Sequence, residues 1–302
     1  MVTMEVIFLG TSASLPTIDR GLSALAVKYE GETLLFDCGE GTQRQMARAK
    51  LGLGRRMKIF ITHLHGDHVL GLPGLLQTMS LLDRKEKVDI FGPRGLGKLL
   101  VEIGKLVGFG LQFPLNIFEV RNGLVLRERK FSVRARLMDH TIPNYAYSFE
   151  EREKPGRFHP ERAIELGVPK GPLWHRLQFG KSVRLPSGRV VKPEEVLDSP
   201  RPSLKLVYSG DTRPCANMSK FAHKANLLIH ECTFDDSLGS RARDDRHSTP
   251  AAIAAIAVKA GVKKLILTHI SARYQRTSAL RKQAQSIFPN TIMAYDLLKV
   301  KL

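Results

Sequence analysis

The run Lys58-Ile59-Phe60-Ile61-Thr62-His63-Leu64-His65-Gly66-Asp67-His68 joins an apolar strand pattern to a loop with four ligand-type side chains in six residues. Burying His63, His65, Asp67 and His68 without partners would cost several kcal/mol, so something must satisfy them. A turn can aim His63 and His65 at one centre while Asp67 and His68 face another. Imidazole with carboxylate is the donor set suited to Zn²⁺ and related first-row ions. Beyond the loop, Leu72, Leu75, Leu76 and Met79 fall at helical spacing with Pro73 near the start. Residues 58–82 therefore read as strand, histidine-rich loop and helix.

Working outward, short β-like runs precede and follow this unit: Val6 to Leu9, Ala24 to Tyr29, Thr33 to Phe36, Phe131 to Leu137 and Tyr145 to Phe149. Few alternate strictly, which predicts strands buried on both faces in an α/β fold. Residues 151 to about 200 break the rhythm with Pro155, Pro160, Pro169, Pro172, Pro186, Pro193 and Pro200, and read as an inserted arm. The strand pattern then resumes. Lys205 to Tyr208 runs into Ser209-Gly210-Asp211, Leu227 to Ile229 into His230-Glu231, and Leu265 to Leu267 into Thr268-His269. Strand C-termini are where α/β folds place their sites. A helix is expected between the last two, capped by Ser248 or Thr249, opened by Pro250 and stopped by Gly261.

The composition restricts the class. Of 302 residues, 43% are hydrophobic and 25% charged, ordinary values for a globular protein, and no apolar run reaches the roughly 20 residues a membrane span needs. Met1 to Gly10 lacks a basic n-region, so a cytoplasmic protein with no membrane partner is expected. Cys38, Cys215 and Cys232 are odd in number and widely spaced, which predicts buried thiols rather than disulfides or a zinc ribbon. The balance of 47 Lys and Arg against 29 Asp and Glu, formally +18, favours a polyanionic partner.

The pattern H-x-H-x-D-H after a strand resembles the signature of the metallo-β-lactamase superfamily. That likeness implies an α/β fold of four layers, an αββα sandwich, with two Zn²⁺ per subunit. His140, Asp211 and His269 match the remaining ligand positions in order. The implied set is His63, His65, His140 and Asp211 on one metal, and Asp67, His68, His269 and the bridging Asp211 on the other. Asp67 would also orient the nucleophile. Asp37, in Phe36-Asp37-Cys38-Gly39, either fixes a ligand histidine or is only a strand-terminal turn residue, and Glu231 has the same status.

Within the superfamily, Phe36-Asp37-Cys38-Gly39-Glu40-Gly41-Thr42-Gln43-Arg44-Gln45 is similar to the first motif of the ribonuclease Z family. Gly10-Thr11-Ser12-Ala13 with Pro16, Ser209-Gly210-Asp211-Thr212-Arg213-Pro214, His230-Glu231-Cys232-Thr233-Phe234 and His247-Ser248-Thr249 resemble further motifs of it. The N-terminal loop departs at Ile18 and Gly21, where family members often carry Lys and Asn. The likeness implies a homodimeric endoribonuclease that cuts the 3′ trailer from precursor tRNA, leaving a 3′-hydroxyl on the tRNA and a 5′-phosphate on the trailer.

His247, which that ligand count does not need, is then free to donate a proton, or is simply a residue at a helix start. Ser271 and Arg273 follow the last ligand and are placed to bind phosphate oxygens; an exposed structural arginine is the alternative. Gly167-Val168-Pro169-Lys170-Gly171-Pro172-Leu173-Trp174 resembles the Gly-Pro motif of the family's flexible, tRNA-binding arm, here 151–200 within a single 1–302 domain. The competing readings are a small-molecule hydrolase of the same fold and an RNA-binding protein with a structural metal.

Overall fold

The computed structural model describes residues 4–54, 56–152, 155–199 and 203–302, so Pro200 of the proline-rich stretch lies outside the described residues. Its larger compact unit, Met1–Glu128, Ser132–Phe149 and Lys205–Leu302, contains two seven-stranded sheets. In the first, Glu32–Phe36, Met57–Phe60, Val88–Gly92 and Leu115–Glu119 run parallel. In the second, Lys205–Tyr208, Leu227–Glu231, Leu265–Thr268 and Thr291–Met293 do the same. Except at the edge strand Leu115–Glu119, these runs are mostly apolar because both of their faces are covered.

The outer face of the first sheet is buried by the helices Thr42–Arg48, Gly71–Leu81 and Leu96–Val107. Met46, Leu72, Leu75, Leu76, Met79 and Leu96 pack there on Leu35, Ile59, Ile61 and Ile90. The second sheet is covered in the same way by Ala216–Phe221, Pro250–Ala260 and Ser278–Gln285 through Met218, Ile253, Ala257 and Leu280. The first sheet carries a row of register partners, Phe36, Phe60, Phe91 and Phe118, with successive centroids 5.1, 5.0 and 4.9 Å apart. Tyr147 and Tyr208 of the second sheet meet that row, Tyr147 at 5.4 Å from Phe60 and Tyr208 at 6.1 Å from Phe36. Helix, sheet, sheet and helix thus form the four-layered αββα sandwich of the metallo-β-lactamase fold.

Several elements escape the periodicity. Leu115–Glu119 and Gly123–Arg127 are half-exposed without clean alternation, and Val88–Gly92 carries Asp89 and a glycine. Phe131–Met138, by contrast, alternates buried and exposed residues along much of its length, as one of the few strands expected to do so. The helix Pro250–Ala260 starts and stops where expected. Thr249 occupies the cap position but makes no side-chain capping bond, and Gly261 ends the helix at φ 64°. Cys38 and Cys232 are buried free thiols, while Cys215 is partly exposed rather than buried.

A second compact unit comprises Arg129–Phe131 and Glu150–Leu204. It has a core of its own, with Ala163, Val168, Leu177, Val183, Val191 and Val196 all essentially inaccessible. Its helices Pro160–Glu165, Pro172–Gln178 and Pro193–Val196 each open on a proline, whose missing N–H is one the first turn leaves unpaired anyway. Trp174 donates its indole N–H to the Val168 carbonyl at 3.0 Å. Where the chain enters and leaves, Glu151 N donates to Leu204 O at 2.8 Å, so the two ends of the insertion are adjacent. Among the described residues no helix is long and apolar enough to cross a membrane.

Candidate metal centre

Because the central strands of each sheet are parallel, their C-terminal ends lie along one edge, and the candidate ligands follow those ends. His63 follows Met57–Phe60, Asp211 follows Lys205–Tyr208, and His269 follows Leu265–Thr268. Asp211 directly follows Gly210, which sits at φ 58° with the place of a Cβ only 2.3 Å from Asn144 Oδ1 and 2.8 Å from Thr62 Cβ. Only glycine fits that turn.

The structure brings all seven candidate ligands together. His63, His65, His140 and Asp211 converge so that one donor atom of each lies within 4.8 Å of the others, and Asp67, His68 and His269 do likewise. Asp211 joins the groups: Oδ1 is 3.4 Å from His68 Nε2, while Oδ2 is 3.3 Å from His269 Nε2 and 3.7 Å from His63 Nε2. Asp67 Oδ2 accepts the backbone N–H of Ser14 at 2.8 Å and stands 3.3 Å from His269 Nε2.

Each anchored imidazole is held by one nitrogen and presents the other inward. The Asp37 carboxylate accepts from Thr62 N and Thr62 Oγ1 at 2.8 and 2.9 Å, from Tyr208 Oη at 2.9 Å, and faces His68 Nδ1 at 2.8 Å. With its proton directed to Asp37, the Thr62 hydroxyl accepts from His63 Nδ1 at 2.9 Å. The opposite sheet repeats the device. Glu231 accepts from Thr233 Oγ1 at 2.9 Å and faces His247 Nδ1 at 2.9 Å, while Thr233 Oγ1 meets His269 Nδ1 at 2.9 Å. His140 Nδ1 lies 3.3 Å from the Arg246 carbonyl. Pinning the outer nitrogen fixes tautomer and ring orientation, as metal-binding histidines require.

Electrostatics favour the ligating state of His63, His65, His140 and Asp211. Burial, reinforced by His68, pulls His63 well below the ordinary imidazole pKa, and burial likewise lowers His65 and His140, which keeps them neutral. Burial raises Asp211, but His269 and His68 outweigh it and hold the carboxylate ionised. For His247 burial is again outweighed, here by Glu231, and the pKa rises to about 9. Asp211 Oδ1 is buried without a hydrogen-bond donor among the described residues. Neutral His63, His65 and His140 beside an ionised, unsatisfied carboxylate fit a divalent metal; for His68 burial is outweighed by Asp211 and Asp37, its pKa is raised well above the ordinary imidazole value, and it gives up a proton on ligating.

The other candidates fall around this cluster. His247 lines it, with centroids 5.2 Å from His140 and 5.6 Å from His269, and its donor atom lies within reach of Asp211 and His269. Arg273 donates from Nε to Ser271 Oγ at 3.1 Å and stacks on Phe234 at 5.1 Å; the Phe234 ring is 6.0 Å from His247. Thr62, Thr233, Tyr208 and Ser14 carry no role in the sequence reading, because a threonine at a strand end has no local feature marking it as a relay.

Residues 4–104 match the family described as anti-Pycsar protein Apyc1. Over 299 residues the chain is 47% identical to ribonuclease Z of Methanothermobacter thermautotrophicus, covering 99% of this chain and 97% of that protein. The chain belongs to the ribonuclease Z family. Ribonuclease Z of Nitrosopumilus maritimus is 42% identical over 299 residues, 99% of this chain and all of its own. Among solved structures, the short form of human tRNase Z aligns over 98% of each chain with a TM-score of 0.70 and 30% identity. A metallo-β-lactamase fold protein of Bacillus subtilis, at 17% identity, shares the fold with a TM-score of 0.70.

Proposed function

We propose that this ribonuclease Z family member is a cytoplasmic endoribonuclease that removes the 3′ trailer from precursor tRNA with two Zn²⁺ per subunit. The observation that carries the reading is the pair of ligand groups joined by Asp211 beside a histidine, His247, that the ligand count leaves over. His63, His65, His140 and Asp211 would hold one metal; Asp67, His68, His269 and Asp211 the other. When bound, the metals supply Lewis-acid activation of the nucleophile and neutralise charge at the phosphodiester. Asp67 orients the attacking water. His247, held through Nδ1 by Glu231, presents Nε2 to the 3′ oxygen that leaves phosphorus. Ser271 and Arg273 hold phosphate oxygens. The products are a tRNA ending in a 3′-hydroxyl and a trailer with a 5′-phosphate. Incubating the protein with a precursor bearing a 3′ trailer and mapping the new ends tests the reading directly; ends elsewhere, or none, would sink it.

His247→Ala is expected to lower kcat on precursor tRNA by about 10²–10⁴. Its metal content should stay at two per chain by elemental analysis. Loss of a metal in this variant would make His247 a ligand instead of the donor.

The second compact unit is assigned the tRNA body, with Arg176, Lys181 and Arg184 on backbone phosphates. A cut from Pro155 to Pro186 would remove part of its core and strand Val191 and Val196, so the cleaner deletion replaces residues 152–203 with a short linker between the adjacent ends. That variant should bind precursor tRNA far more weakly while still hydrolysing bis(p-nitrophenyl) phosphate. In the full chain, Arg176→Ala with Lys181→Ala should flatten the log–log salt dependence of tRNA affinity by about 0.7–0.9 for each phosphate no longer neutralised. Equal losses on both substrates would show that the insertion shapes the centre itself. The family likeness also supports a homodimer, which sedimentation of the purified chain would test.

A further inference from the structure

A cavity of about 420 Å³ opens directly beside His247, within the about 300–1,000 Å³ typical of small-ligand sites. Thr249 and Gly239 lie in its wall beside three further kinds of residue. Pro214, Ala242 and Ala252 give an apolar floor, Arg213 and Arg243 bring guanidinium groups, and His247 forms the side towards the metal centre. Arg213 is committed, donating from Nε to Asp139 Oδ2 at 2.6 Å. Arg243 is exposed, and among the described residues its side chain has no hydrogen bond, ion pair or ring contact. A cation left unpaired at the mouth of a cavity, over an apolar floor, suits a ligand with an anionic group and a flat or sugar-like body.

The imidazole of His247 is shared between cavity and centre. Its donor atom lies within 4.8 Å of those of Asp211 and His269, so a group that fills the cavity touches the same imidazole that reaches the candidate ligands. Chemistry then fixes which side of the cut is held here. Water adds to phosphorus, the P–O3′ bond breaks, and the proton from His247 goes to O3′. The ribose bearing that oxygen must sit on the His247 side.

We propose that this cavity is the subsite for the last nucleotide of the tRNA, the one that keeps the 3′-hydroxyl, with its 5′ phosphate on Arg243. The inference rests on the processing activity proposed above. The first trailer nucleotide lies on the opposite side of the scissile phosphate and makes no use of Arg243.

The test pairs a protein change with a substrate change. Arg243→Ala should raise KM for precursor tRNA about tenfold, as removing one charge-assisted hydrogen bond to phosphate does, and lower the salt slope by about one. Its loss on precursor tRNA should exceed any loss on bis(p-nitrophenyl) phosphate by about that factor. A precursor whose phosphate 5′ of the last tRNA nucleotide is replaced by an uncharged methylphosphonate should cost the wild type a similar amount and cost Arg243→Ala nothing more. The same replacement two linkages into the trailer should weaken both proteins equally. Ala252→Phe, which fills the floor without touching charge, should raise KM for precursor tRNA in the same direction. Additive losses from Arg243→Ala and the upstream methylphosphonate would overturn the subsite, as would equal losses on the two substrates. A wild type that hydrolyses the small diester but leaves precursor tRNA intact would instead overturn the processing activity, and the subsite with it.

Discussion

On the two-metal reading proposed above, Asp211→Ala is expected to empty both halves of the centre and to lower precursor cleavage by at least about a thousandfold, the scale set by losing several kcal/mol of charge stabilisation in the transition state. No other side chain is shared between the two ligand groups. Its Oδ1 reaches His68 at 3.4 Å, and its Oδ2 reaches His269 at 3.3 Å, His63 at 3.7 Å and His140 at 4.0 Å. Removing it leaves His63, His65 and His140 without the carboxylate of their group, and Asp67 as the one carboxylate beside His68 and His269. Asp211→Asn separates charge from volume, since it keeps the shape and should fail nearly as badly. Elemental analysis of dialysed protein and cleavage of a synthetic precursor provide the two readouts, and exhaustive chelation of the wild type should reach the same endpoint. Two equivalents of retained metal with activity within tenfold of wild type would remove Asp211 from its bridging place.

What the sequence makes legible divides along sequence distance. His63, His65, Asp67 and His68 announce themselves because four ligand-type side chains in six residues have no other economical explanation. His140, Asp211 and His269 each stand in a short polar stretch after a β-like run, and resemblance, not periodicity, picks them out; Asp211 and His269 reach one edge because the strands before them are parallel, whereas His140 follows Phe131–Met138, which pairs antiparallel with Gly123–Arg127. The relays Thr62 and Thr233 are invisible to either approach, since the hydroxyl's use depends on a carboxylate 25 residues away for Thr62. The inserted unit is legible as an interruption but not as a folded body. Its prolines read as breakers, whereas Pro160, Pro172 and Pro193 each sit in the first turn of a short helix, where proline is compatible with the fold. Helices of four to seven residues leave too few positions for a 3.6-residue period to register.

Asp37 is the position whose loss should be felt by both fold and centre. It is fully buried at φ 57°, a left-handed conformation that aspartate and asparagine tolerate better than most residues. Four groups converge on it: the Thr62 N–H, the Thr62 hydroxyl, the Tyr208 phenol and the His68 ring. Asp37→Ala strands all of them without solvent and places a Cβ-only residue at a positive φ, so it should destabilise the chain by about 3–5 kcal/mol, the usual cost of breaking a buried charged pair. That variant alone would confuse unfolding with loss of metal. Asp37→Asn resolves the two, because it preserves volume and backbone conformation and still offers one oxygen to the Thr62 N–H. What it cannot do is hold His68 Nδ1 by a charged acceptor. Metal affinity should therefore fall about 10–100-fold, the range seen when the partner of a ligating histidine is removed. Tyr208→Phe supplies the control: it takes away one donor to the same carboxylate, costs about 1 kcal/mol, and leaves the His68 contact in place. Competition against a calibrated zinc chelator, read alongside thermal unfolding, gives both quantities for each variant. If Asp37→Asn bound metal as tightly as wild type, Asp37 would be holding the sheets' edges together and nothing more. If Tyr208→Phe lost as much affinity as Asp37→Asn, the effect would belong to the fold and not to the orientation of His68.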